Sequence, residues 1–242
     1  TVLYIKGDEI ASSTSIKDSS FSGKAITANG NARTSGNGKI GNSMYFDGTG
    51  DYLSAAANAD WNFGSGNWAI DLWHKSSSDT SFSTFISIGD ANKEITLQRN
   101  TNSGGIGLYL KSDDSTSIAS NAIFGKIDNS NWQHIALVRN GNTVTGYINS
   151  VAGGAWDVTG KSFNLSSLPV YVGIWRDAIN YLLTGNLDET RVIKGTALTA
   201  DQIRQTYEYG LRSHQITIDF GATLQPSDLI SNSTDYNFSL TA

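Results

Sequence analysis

Residues Trp132–Ser150 read WQHIALVRNGNTVTGYINS, and this stretch decides the fold. Its pattern predicts a β-hairpin, with one strand over Trp132–Arg139 and a second over Thr143–Ile148. Ile135, Leu137 and Val138 supply apolar bulk before the turn, and Val144, Tyr147 and Ile148 supply it after. Between them Asn140-Gly141 predicts a type I′ turn, whose central residues need positive φ and whose twist matches paired strands.

Outward from the hairpin the chain repeats the same grammar. Trp68–Lys75 (WAIDLWHK) places Trp68, Ile70 and Leu72 on one face and Ala69, Asp71 and Trp73 on the other. Bulk on both faces predicts a central strand covered on two sides. Short strands are predicted at Val2–Ile5, Ala25–Thr27, Phe82–Gly89, Glu94–Arg99, Gly105–Leu110, Ser117–Ile123, Trp156–Val158, Pro169–Trp175 and Leu182–Lys194, the last interrupted at Gly185–Glu189. Ser43–Ala55 reads as a strand, a Gly-Asp turn and a second strand. Thr34–Gly41 reads as loop, and Asn58–Trp61 as one helical turn. Thr199–Tyr207 is the one predicted α-helix, with Thr199 as N-cap and Gln202 completing a capping box. Many short strands without a βαβ rhythm predict an all-β, antiparallel sandwich or barrel.

The chain has 242 residues, no cysteine, a net charge of −5 and only 16% charged residues. It is long enough to bury a sizeable core without disulfides. The acidic balance argues against a nucleic-acid partner. No run reaches the 18 or more apolar residues of a membrane helix, so no membrane insertion is expected. A surface of Ser, Thr, Asn and Gly suits a neutral ligand such as a glycan, and suits simple solubility equally.

Six pieces in order resemble the concanavalin A-like jelly roll, in its laminin-G-like branch common in secreted bacterial and phage structural proteins. They are DSS (Asp18–Ser20), ITANGNA (Ile26–Ala32), FDGTGDYL (Phe46–Leu53), WNFGSGNWAIDLW (Trp61–Trp73), the hairpin, and GNLDETRVIKGTALTADQI (Gly185–Ile203). The resemblance spans Val2 to Tyr207. It implies a jelly-roll domain over residues 1–210 and leaves 211–242 as a C-terminal β extension. The opening IKGDE departs from the family's pattern, carrying Asp8 without an aromatic before it.

The resemblance implies a structural calcium site at Asp8, Asp18 and Asp188. Calcium takes six to eight oxygen ligands; the same aspartates also suit turns bonded to their own backbone. The jelly-roll glucanases carry E-x-D-x-x-E on one strand, which gathers carboxylates on one face. This chain has no such run. Asp188-Glu189 is the nearest acidic pair, and neighbours on a strand point to opposite faces. With no G-x-S-x-G elbow either, no enzyme activity is expected, and His74, His134 and His214 lack ligand spacing. Ligand binding in lectin-like folds uses an aromatic to stack on a sugar and polar groups for its hydroxyls. Ile174–Tyr181 (IWRDAINY) supplies both, through Trp175, Arg176, Asp177, Asn180 and Tyr181; Trp156-Asp157 is a second candidate. Core or edge packing is the alternative for each aromatic.

In the tail, Ile216, Ile218 and Phe220 share one strand face, as do Tyr236, Phe238 and Leu240. These strands either pack back on the sandwich as a small annex or pair with a neighbouring subunit, and the expectation is assembly into a homo-oligomer or larger surface particle. The expected function is a non-catalytic module, extracellular or on a virion surface: a structural or adhesion protein, or alternatively a secreted carbohydrate-binding lectin.

Overall fold

The computed structural model describes residues 1–76, 82–100 and 104–212. The two tail strands expected after residue 213 lie outside these residues.

Two antiparallel sheets face each other. The first contains β1 (Leu3–Ile5), β3 (Arg33–Ser35), β4 (Ser43–Asp47), β7 (Trp68–Ser76), β12 (Gln133–Asn140), β13 (Thr143–Ile148), β14 (Val151–Asp157) and β17 (Thr184–Lys194). Its order is β14-β13-β12-β7-β17-β4-β3, with β1 also on β17. The second contains β2 (Ile26–Asn29), β5 (Tyr52–Ala55), β8 (Ser83–Gly89), β9 (Glu94–Asn100), β10 (Gly105–Lys111), β11 (Ser117–Lys126) and β16 (Val170–Val172), in the order β11-β10-β9-β8-β16-β5-β2. A small ribbon pairs β6 (Asn62–Gly64) with β15 (Phe163–Asn164). Among the described residues one α-helix, α1 (Ala200–Arg212), lies on the outside of the first sheet. The expected jelly-roll sandwich is the observed one.

Strand alternation builds the core. Ile70 and Leu72 of β7 and Ile135 and Leu137 of β12 meet Ile86, Ile88, Ile95 and Leu97 from the second sheet in one buried cluster. The opposite face of β7 carries Ala69, which packs with Ala136, Val138 and Ile193 beneath Ile203 of α1. Trp73 on that face stacks on Tyr207 at 5.8 Å. So β7 is covered on both sides, as its apolar pattern predicts. The helix starts with the expected box: Thr199 N donates to Gln202 Oε1 at 2.9 Å and Gln202 N to Thr199 Oγ1 at 3.2 Å. It runs five residues past the expected end, so the boundary expected at 210/211 falls inside it.

The hairpin turn sits one residue later than predicted. Asn140 pairs with Thr143, so the turn is Gly141-Asn142. Gly141 has φ 59°, while neither Asn140 nor Asn142 is at positive φ. This is the sign pattern of a type II′ turn, which wants glycine first; extending the ladder by one pair selects it over type I′.

Candidate functional site

The chain from β16 to β17 is a compact turn laid over the outer face of the second sheet. Gly173, at φ 88°, turns the chain off the strand. Trp175 N bonds Asn180 O at 3.1 Å, and Ala178 N bonds Trp175 O at 2.9 Å. Asp177 folds the tip by accepting from Ile179 N and Asn180 N, both at 3.0 Å, and from Asn180 Nδ2 at 2.6 Å. Thr84 N bonds Tyr181 O at 2.8 Å, which ties the turn to β8. Of the five predicted residues, Asp177 and Asn180 therefore spend their polar groups on the turn itself. Trp175, Arg176 and Tyr181 face the sheet.

There they meet residues that sequence reasoning missed. β9 alternates Ile95 and Leu97 into the core with Glu94, Thr96 and Gln98 on the outside. That outer strip reads as solvated, yet Glu94 is 4% exposed and Gln98 1%. Arg176 Nη1 pairs with Glu94 Oε2, and its guanidinium lies 4.0 Å from the Trp175 ring centre. Trp175 sits 5.0 Å from Tyr181 and 6.1 Å from Tyr109 of β10, centroid to centroid. Gln98 Nε2 donates to Asn121 Oδ1 at 3.1 Å. Burial pushes the Glu94 carboxyl up, against the opposing pull of Arg176, Trp175 and Thr96. The Trp175 indole N–H lies near enough to lower it but makes no well-aligned hydrogen bond among the described residues. The result is an aromatic platform of Trp175, Tyr109 and Tyr181, the last 38% exposed, beside an Arg–Glu pair. Aromatic faces next to fixed donors and acceptors can stack on a ring and bond its hydroxyls.

The second candidate resolves as packing. Trp156 meets Phe124 edge-on at 5.9 Å, and Asp157 accepts from Thr159. His134 is packed too, with Nε2 3.3 Å from Asp71 Oδ2 and its ring against Trp73.

The calcium set is not gathered. Among the described residues no three His, Asp or Glu side chains group as metal ligands. Asp18 spends both oxygens on Tyr4 N, Ser20 N, Ser20 Oγ and Lys24 N, at 2.8–2.9 Å. Asp8 and Asp188 meet the same short loop elsewhere: Asp8 accepts from Asn42 N at 3.2 Å, Asp188 from Lys39 N at 2.7 Å and Ile40 N at 2.9 Å. As a three-carboxylate site these residues do not fit a calcium ion, because Asp18 is saturated by protein donors.

The Asp188-Glu189 pair also departs from expectation. A bulge between Asp188 and Arg191 breaks the alternation, with Glu189 at φ 51°. Asp188 lies opposite Trp73 and Arg191 opposite Asp71, on the outer side, and Glu189 reaches the Tyr4 hydroxyl there. The two adjacent acids thus share a side.

The profile of a laminin-G type family in the concanavalin A-like lectin/glucanases superfamily matches residues 47–204. The chain belongs to that superfamily. No curated protein sequence matches it. Domain 4 of AbnA, an extracellular arabinanase from Geobacillus stearothermophilus solved with arabinotriose, is similar with a TM-score of 0.65 and 23% identity, over 84% of this chain and 96% of that one. The binding domain of Paraclostridial Mosquitocidal Protein 1 aligns at TM-score 0.65 and 15% identity, over 86% of this chain and 52% of that one. The receptor-binding domain of botulinum neurotoxin D aligns at 0.67 and 16%, again over 86% and 52%. The chain thus spans about half of these toxin domains, and the likeness to all three is one of fold. Among the described residues no helix is long and apolar enough to cross a membrane.

Proposed function

We propose that this chain is a non-catalytic glycan-binding module, displayed outside the cell or on a virion surface, where it serves adhesion. The observation that carries this reading is the platform of Trp175, Tyr109 and Tyr181 beside the Arg176–Glu94 pair. Aromatic faces take up the apolar side of a sugar, and a pre-paired Arg and Glu offer donors and acceptors with little further ordering cost. The solved neighbours support it by what they are: a domain of an extracellular arabinanase with arabinotriose, and binding domains of toxins. Glycosidase chemistry needs two carboxylates flanking a bond. Here Glu94 is held by Arg176, and Asp177 holds its own turn.

The test is a glycan array followed by titration calorimetry on the hits. Stacking contributes on the order of 1 kcal/mol, so Trp175→Ala should weaken binding roughly tenfold or less while leaving the melting temperature within a few degrees. An array without hits, or hits indifferent to Trp175→Ala, would overturn this reading.

A further inference from the structure

On the far side of the sandwich, between α1 and the outer face of the first sheet, lies a cleft of about 200 Å³. Its floor is Asp71, 1% exposed, gripped by Arg191 through Nε–Oδ1 at 3.0 Å and Nη2–Oδ2 at 2.5 Å and touched by His134. One wall is Glu189, which the bulge holds in the left-handed region and turns toward the Tyr4 hydroxyl. Trp73 lines the cleft, fully buried, and its indole N–H has no hydrogen-bond partner among the described residues. Thr206 and Tyr209 of α1 form the rim, and Tyr209 is 62% exposed.

These features are costly as mere scaffold. A buried ion pair is often no better for stability than apolar packing of the same volume. A non-glycine residue in the left-handed region is strained, and such strain persists where surrounding structure enforces it, often at binding sites.

The lining also selects the ligand chemistry. Cations are disfavoured, because the Tyr4 ring already has Lys6 at 5.3 Å and Arg191 at 5.9 Å, and the Trp73 ring has Lys39 at 5.1 Å. Anions are disfavoured by the Glu189 and Asp71 carboxyls. An apolar ligand would strip these groups of water without replacing their hydrogen bonds. What remains is a small neutral molecule rich in hydroxyls.

We propose that this cleft is a second ligand site, on the sheet opposite the Trp175 platform, that takes one neutral sugar unit or polyol. Glu189, Thr206 and Tyr209 would bond its hydroxyls. The site stands on its own residues and does not require the platform to bind.

The test is an amide NMR titration of the full chain with glucose, galactose, mannose, arabinose and glycerol, each up to ~50 mM, a range that covers the millimolar Kd of a small ligand. Saturable shifts are expected at Arg191, Thr206 and Tyr209 with at least one probe. They should persist in Trp175→Ala and disappear in Tyr209→Ala, whose exposed position leaves the fold and melting temperature intact. Glu189→Gln, which keeps the side chain's size, should weaken the same response severalfold. No saturable shift at these amides with any probe would overturn the proposal. So would shifts that vanish in Trp175→Ala or survive Tyr209→Ala. Loss of glycan binding at the platform alone would leave this site standing.

Discussion

Asp188 should make the domain less stable as pH rises, and Asp188→Asn should remove that dependence. The side chain is 0% exposed. Its Oδ2 accepts from Lys39 N and Ile40 N, while Oδ1 makes no well-aligned hydrogen bond among the described residues, although the Glu189 N–H lies near enough to favour the charge. Burial, and then the neighbouring Glu189, push its pKa up to about 8, against the pull of the Ile40 and Lys39 N–H groups. An acid whose folded pKa is raised binds its proton more tightly when folded. Its favourable contribution is therefore complete below pH about 4 and is lost as pH rises through 8. One proton gives a slope of about 1.4 kcal/mol per pH unit, with a ceiling of roughly 6 kcal/mol over the window. Movement of the 39–42 loop and entry of water leave about 2–3 kcal/mol of this. Asparagine keeps an acceptor for the loop and carries no charge at any pH. Thermal melts of both proteins at pH 5, 7 and 9 measure the difference, in which groups remote from residue 188 cancel. His74, buried with its pKa pushed down to about 3, is present in both proteins; it pairs with Leu187, but its ring packs on Phe85 in the core, across the sheet from Asp188. The variant should gain on the wild type by about 2 kcal/mol between pH 5 and 9, roughly 4–8 °C in Tm. Parallel curves, or a wild type that gains on the variant with pH, would refute the reasoning.

Two further outcomes are expected. A Cβ on Gly210 would stand 2.2 Å from Trp73 Cζ2, so Gly210→Ala must displace α1 from the sheet; chemical denaturation should show a loss of about 1–3 kcal/mol. Excess chelator should leave the melting curve unchanged, because Asp18 is spent on protein donors; a fall of several degrees that Asp188→Asn abolishes would restore the calcium expectation.

The sandwich was legible because its central strands carry the signal themselves. Trp68–Ser76 and the 133–148 hairpin show bulk in the right alternation, and Thr199 and Gln202 announce the helix. The misses have physical causes. β14 reads VAGGAWD, poor in strand formers, because the edges of the two sheets close on one another there: a Cβ on Gly153 would fall 1.6 Å from Phe124 O. β3 is a short, polar edge strand, and its RTS carries little strand signal. At the platform, the loop Ile174–Tyr181 stood out by composition. Glu94, Gln98 and Tyr109 did not, since period-2 alternation assigns them to solvent; the loop folds over Glu94 and Tyr109, and Gln98 is tied to Asn121 of β11. The acidic pair was misplaced for a related reason: no pattern in LDETR marks the bulge that puts Asp188 and Glu189 on one side.

The central claim is that the outer face of the second sheet, beneath the Trp175 turn, binds glycan. It is tested most directly by mapping amide shifts on adding an array hit to the full chain. The account predicts that the perturbed residues cluster on Glu94–Gln98, Tyr109 and Trp175–Tyr181, with the Trp175 indole N–H signal among those that move most. A high-affinity hit whose shifts fall elsewhere and leave these residues unmoved would contradict it.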